Sequence, residues 1–166
     1  MWSIEEIFSQ LDQNFEAVHQ AVQAMNPARY TQRPTEDKWS PAEHIEHLLL
    51  TDMVITQMIS GEGTPAEARS SNEIMAHVIN SFANMGKQFT AFGPLIPQGN
   101  FPDQIPAFEQ WAIIRTGLKQ VVQNQDPHHL ATGFIHPLVG EPMSRLEWLM
   151  FCVIHGERHL RLIEAY

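Results

Sequence analysis

Apolar residues near the start of the chain fall at Ile4, Ile7, Phe8, Leu11, Phe15, Val18, Val22 and Met25, in steps of three or four, and predict one long amphipathic helix. Ser3-Ile4-Glu5-Glu6 supplies a capping box at its start, and Asn26-Pro27 ends it. After a polar loop carrying Pro27, Pro34 and Asp37, Ser40-Pro41-Ala42-Glu43 forms a second box and opens a helix from Pro41 to about Ser60, stopped by Gly61 and Gly63. Its apolar residues, from Ile45 through Leu48, Leu49, Leu50 and Met53 to Ile59, spread almost all round, so it should be central or covered by a partner subunit. Ser70-Ser71-Asn72-Glu73 starts a third helix, carried by Ile74, Val78, Phe82, Met85 and Phe89 to Gly93-Pro94. The stretch 95–106 reads as loop, and a fourth helix follows from Pro106 to about Gln125 through Phe108, Trp111, Ile114, Leu118, Val121 and Val122. Ser144-Arg145-Leu146-Glu147 opens a last helix that runs close to Tyr166. Sustained alternation is scarce, so strand content should be near zero, and the pattern predicts an all-α fold, a four-helix bundle with an extra helix or a long crossover connection.

At 166 residues the chain suits a single helical domain spanning 1–166. With 43% hydrophobic and 17% charged residues it can bury a core, which excludes a disordered segment. The formal charge of −9 disfavours nucleic acid and anionic membrane surfaces as partners. No apolar run reaches the ~18 residues of a membrane span. Cys152 is the sole cysteine, so no intramolecular disulfide forms, and the start of the chain lacks a signal-peptide pattern; a reducing cytoplasm is expected. Methionines at helical spacing, among them Met53, Met58, Met75, Met85 and Met150, read as fillers of the core or of helix interfaces.

Nine histidines against ten lysines plus arginines point to metal or proton chemistry. His155 and His159, four apart on the last helix, leave one face a turn from each other, and Gly156 between them permits a close helix approach. His155-Gly156-Glu157-Arg158-His159 is not a zinc-protease motif: Glu157 lies one place too late, roughly 200° around the helix from His155. A third ligand is needed. Among His19, His44, His47 and His77 on predicted helices, His47 is best placed within the apolar second helix. His44, about 60° away, is its rival and reads more simply as a first-turn polar residue near Glu43. Carboxylates also qualify, Glu43 or Asp52 being nearest, and the same two are the first candidates for orienting the rings from behind. His128, His129 and His136 fall in loops. Trp39 and Trp148 read as packing anchors or pocket walls, Arg145, Arg158 and Arg161 as partners of a thiol cofactor's carboxylates, and the latter two equally as residues favoured near a helix C-terminus.

Trp39-Ser40-x6-His47-Leu48, together with the segment His136 to Leu149 leading into His155-x3-His159, resembles the DinB-like family across both halves of the chain. The resemblance implies a four-helix bundle of DinB-like type whose metal is held by His47, His155 and His159. It also implies a metal-dependent transferase or isomerase, of the kind that uses a low-molecular-weight thiol such as bacillithiol or mycothiol, the transferase being the expected one.

Three neutral imidazoles would leave a divalent ion its full charge, with zinc expected first and nickel next. A small thiol bound to such an ion loses its proton and attacks an electrophilic small-molecule substrate. The thiol must be exogenous, since Cys152 reads as a packed core residue. A hydrolase using bound water, a non-catalytic metal-binding bundle and a metal-free interaction module are the competing readings, and the apolar second helix leaves room for a homodimer.

Overall fold

The structure, a computed structural model, describes residues 2–65, 71–123, 125, 132–137 and 140–166. Five α-helices run through these residues: α1 (Ile4–Ala24), α2 (Pro41–Ile59), α3 (Ser71–Ala83), α4 (Gln104–Gln123) and α5 (Arg145–Glu164). The helices α1, α2, α4 and α5 form a four-helix bundle in which α1 packs on α5 and α4, and α2 on α4 and α5. The extra helix, α3, lies on α5. The expected central place of α2 follows from its neighbours within one chain: His47, Leu48, Leu49, Asp52, Ile55 and Ile59 are all buried, whereas Met53 faces solvent.

Each predicted capping box is present. Ser3, Ser40 and Ser144 accept from the backbone of Glu6, Glu43 and Glu147, whose carboxylates reach back to the cap. Two boundaries differ from expectation. The third helix ends at Ala83, ten residues before Gly93-Pro94, because the Asn84 side chain accepts from the Gly86 amide at 3.0 Å and Arg158 gathers the carbonyls of Phe82 and Asn84, each at 2.9 Å. Phe89 then folds back to stack on Phe82 with ring centroids 4.7 Å apart, so its apolar character serves loop packing. The fourth helix starts before Pro106: the Asp103 carboxylate accepts from the Ile105 amide at 3.0 Å, and a proline in the first turn removes a donor that has no helical partner.

Strand content is not zero. A small antiparallel sheet of order β1-β2-β3 joins β1 (Thr64–Pro65), β2 (Thr132–Ile135) and β3 (Pro142–Ser144), with Gly133 opposite both Thr64 and Ser144. These strands are too short to show alternation in sequence. They are held instead by tertiary contacts, since the Trp148 indole donates to the Phe134 carbonyl at 3.2 Å and the Arg145 guanidinium lies over the Phe134 ring.

Two apolar clusters fill the bundle. One gathers Leu11, Ile55, Leu118 and Val153, the other Val18, Leu48, Trp111 and Ile163. On every bundle helix a polar residue lies between its members of the two clusters: Asn14 on α1, Asp52 on α2, Arg115 on α4 and His155 on α5. The Asp52 carboxylate accepts from the Arg115 Nε at 2.9 Å and the Trp111 indole at 2.7 Å, and Arg115 also donates to the Leu11 carbonyl and the Asn14 side chain. Gly156 faces this layer, and a Cβ there would lie 2.1 Å from the Asn14 side-chain oxygen.

Two outcomes follow. Gly156→Ala forces Asn14 off Arg115 and is expected to lower stability by about 1–3 kcal/mol, read from the urea midpoint; an unchanged midpoint sinks the close-approach argument. Asp52→Ala strands a buried guanidinium and should cost about 3–5 kcal/mol, more than Gly156→Ala in the same assay.

Candidate metal centre

His47 sits in the second turn of α2, and His155 and His159 one turn apart on α5, where α2 meets α5. All three side chains are buried. The Nε2 atom of His155 lies 3.2 Å from His47 Nε2 and 3.0 Å from His159 Nε2, and ligand atoms of the three residues fall within 4.8 Å of one another. The triad favoured by spacing is therefore brought together by the fold.

Protonation in this cluster is constrained from behind. His47 Nδ1 donates to the Leu95 carbonyl at 2.7 Å, because a carbonyl only accepts, so its Nε2 presents a lone pair to the cluster. His159 Nδ1 pairs with His44 Nδ1 at 2.9 Å. Burial drives the pKa of His155 and His159 well below that of ordinary histidine, with neighbouring histidines and Arg158 adding to the effect. Burial also lowers His47, opposed by the Leu95 hydrogen bond and the Asp52 charge, and it lowers His44 to about 4. At neutral pH the rings are uncharged donors of electron pairs.

This arrangement fits a cation. One Nε2 atom holds either a proton or a lone pair, so His155 can make an ordinary hydrogen bond along only one of its two short approaches. An ion would satisfy all three nitrogens, and metal–nitrogen bonds of about 2.0–2.1 Å at tetrahedral angles correspond to nitrogens about 3.3–3.4 Å apart, close to the 3.2 Å and 3.0 Å that separate His155 Nε2 from its two neighbours.

Aromatic rings wall the cluster. Phe151 stacks on His155 with centroids 5.3 Å apart, and Phe82 meets it edge-on at 5.8 Å. Trp39, half-buried, contacts His47 at 4.9 Å, His44 at 5.6 Å and His159 at 6.3 Å, and so is a wall of the site. Trp148 is not: it stacks on His136, which the Phe151 ring separates from His155. His19 leans on Phe108 beside Gln23, and His77 is exposed on α3. His128 and His129 lie outside the described residues.

Several expectations change. Glu43 bonds Arg33 and the Ser40 cap, and Asp52 bonds Trp111 and Arg115, so neither orients the histidines by hydrogen bonding. The Leu95 carbonyl and His44 hold the rings instead. His44 is thus a buried partner of His159 and not merely a first-turn polar residue. Arg145 donates to the carbonyls of Ile59 and Gly61 at the end of α2, and Arg158 to those of Phe82, Asn84 and Lys87, so both serve helix ends. Arg161 is exposed. Sequence reasoning also passed over Glu46, a buried carboxylate bonded to the loop that follows Leu95; the signal was an acid wedged between Ile45 and His47 in an apolar helix.

No helix among the described residues is long and apolar enough to cross a membrane. No curated protein matches the chain. Among solved structures, YfiT from Bacillus subtilis, described as a probable metal-dependent hydrolase with a four-helix bundle, shares the fold at a TM-score of 0.67. Identity is 15%, with 99% of this chain and 87% of YfiT covered. The family model of the DinB superfamily matches residues 10–163, nearly the full bundle with all three clustered histidines inside it, and the chain belongs to that superfamily.

Proposed function

We propose that the chain is a metal-dependent enzyme in which His47, His155 and His159 hold one divalent ion, zinc before nickel, and a small external thiol attacks an electrophilic small-molecule substrate. The observation that carries the metal is the convergence of three buried imidazoles. When bound, such an ion supplies Lewis acidity that deprotonates a ligated thiol outright or lowers the pKa of a ligated water to about 7.

The chain's own residues hold and orient the donors. Leu95 and His44 fix two of the rings, while Phe151, Phe82 and Trp39 exclude water around them. The preference for a thiol rests on the carboxylates: Glu43 and Asp52 are engaged with cations, and Glu46 with backbone amides, which leaves none of the three free as a base for water. Cys152 is fully buried and its thiol is pushed well up by burial and the Asp52 charge, so the sulfur comes from outside. A reducing cytoplasm suits that chemistry. A homodimer is not needed to build the site, because one chain provides all three rings. The second reading is a hydrolase, supported by likeness to YfiT, whose description names that activity.

Elemental analysis of the purified chain should find one ion per chain, and His155→Ala should lose it; a chain purified without metal, and unable to take up zinc, overturns the proposal. Adding 2-mercaptoethanol to the cobalt-substituted protein separates the two chemistries. A new sulfur-to-metal absorption band supports thiol binding, and an unchanged spectrum leaves the hydrolase reading.

Acid should destabilise the metal-free chain in a stated window. Unfolded histidine titrates near 6.5, whereas the folded pKa is about 4 for His44 and lower than normal for His47, His155 and His159. Below about pH 6.5 the unfolded chain takes up protons that the folded chain refuses. Stability is therefore full above that pH and falls as pH drops below it, visible as a lower urea midpoint at about pH 5.5 than at about pH 7.5. A midpoint that holds or rises over this interval contradicts the buried neutral histidines.

A further inference from the structure

We propose that Glu46 is a positioning residue of the metal centre: its buried carboxylate ties down the 95–100 loop, and the Leu95 carbonyl of that loop fixes the tautomer and aim of His47. This rests on the reading of His47 as a metal ligand, and it adds a device that the ligand set alone does not require.

Glu46 is 1% exposed. Its carboxylate accepts from the backbone amides of Gln98 at 3.1 Å, Gly99 at 2.8 Å and Asn100 at 3.2 Å, and from the Asn100 side chain at 2.7 Å. Four donors on one carboxylate are what permits an acid at this depth with no ion pair among the described residues. Three successive amides converge on it as an anion nest, with Gly99 at a φ of +77°, a left-handed conformation that glycine adopts without steric cost.

The loop has weak apolar anchorage of its own, for Ile96 is 42% exposed and Gln98, Gly99 and Asn100 are exposed and carry no apolar side chain. The carboxylate takes over that task. Glu46 and His47 are consecutive on α2, and both end on the same loop: one binds the amides of residues 98–100, the other the carbonyl of Leu95 at 2.7 Å. Through that carbonyl the proton is kept on His47 Nδ1, and the Nε2 lone pair is kept facing His155 and His159. If the loop slackens, nothing in this contact holds the proton on Nδ1, and an Nε2–H form cannot ligate through Nε2, the nitrogen that faces the cluster.

Two variants test this in the full-length chain. Glu46→Gln places an amide NH2 among N–H donors and should detach the loop on that side. Gly99→Ala strains the same nest from the loop side, since no heavy atom lies within 4 Å of the added Cβ and only φ is offended. The readout is the 15N spectrum of the imidazoles in metal-free protein, with circular dichroism and the urea midpoint recorded alongside. Wild type should show His47 as the Nδ1–H tautomer, and the folded variants a shift toward Nε2–H with zinc affinity about 10–100-fold weaker.

If Glu46→Gln does not fold, Gly99→Ala carries the same readout. A purely structural role would move the midpoint and leave the tautomer alone. A His47 tautomer unchanged in folded variants overturns the positioning role, whether or not zinc binds. A tautomer that shifts in a protein whose wild type takes up no zinc upholds the positioning role and removes the ligand reading instead.

Discussion

The ion pair between Asp52 and Arg115 sets the level at which the four bundle helices meet, and the histidine cluster is built beside it. Each charge is nearly fully buried, so neither is tolerated without the other and without further hydrogen bonds. Asp52 receives Trp111 and Arg115, and Arg115 reaches the Leu11 carbonyl and Asn14, so one network touches α1, α2 and α4. Asn14 then presses on Gly156 of α5. Because Gly156 is the residue after His155, and Asp52 follows His47 by five positions on α2, the contacts that lock the bundle also set the distance between the two helices that carry the triad.

The electrostatics of the interior follow from the same economy of partners. Among the described residues, three cations lie within or near the bundle core: Arg115 in the ion pair, Arg145 on the last carbonyls of α2, and Arg158 on the carbonyls after α3. Each is satisfied by fixed oxygens. Arg115 and Arg158 stand close enough to His155 to oppose its protonation, which adds to the larger effect of burial. An interior that disfavours imidazolium favours a lone pair on nitrogen. The surroundings that destabilise the metal-free chain in acid are thus the ones that suit a cation.

Much of the helical frame was legible before any coordinate, for a local reason. A capping box spans four residues and an amphipathic stripe repeats every turn, so Ser3, Ser40 and Ser144 mark their helices whatever the rest of the chain does. The pair His155 and His159 was legible on the same ground, because a helix fixes the relation of positions four apart. The close approach at Gly156 also followed, since a glycine within such a stripe has few other uses. The end of α3 was not legible: Met85 and Phe89 continue the helical period, but Arg158, more than seventy residues later, draws off the carbonyls that would have prolonged it. The sheet was hidden similarly, its strands being stabilised by Trp148 and Arg145 from α5.

What the sequence by itself determined is therefore local and periodic: which segments are helical, which faces are apolar, and which histidines share a face. His47, 108 positions before His155, was the best placed of the remaining helical histidines, and family resemblance named the same one over its rival His44. Only the tertiary structure decided how the donors are held. It moved the orienting role from Glu43 and Asp52 to His44 and a main-chain carbonyl, drew the 95–100 loop over α2 through Glu46, and turned Arg145 and Arg158 from prospective ligand contacts into helix caps. Backbone carbonyls and amides are common to every residue, so the sequence does not show which of them will meet a given side chain. That choice is made when distant segments pack and buried polar atoms must find partners.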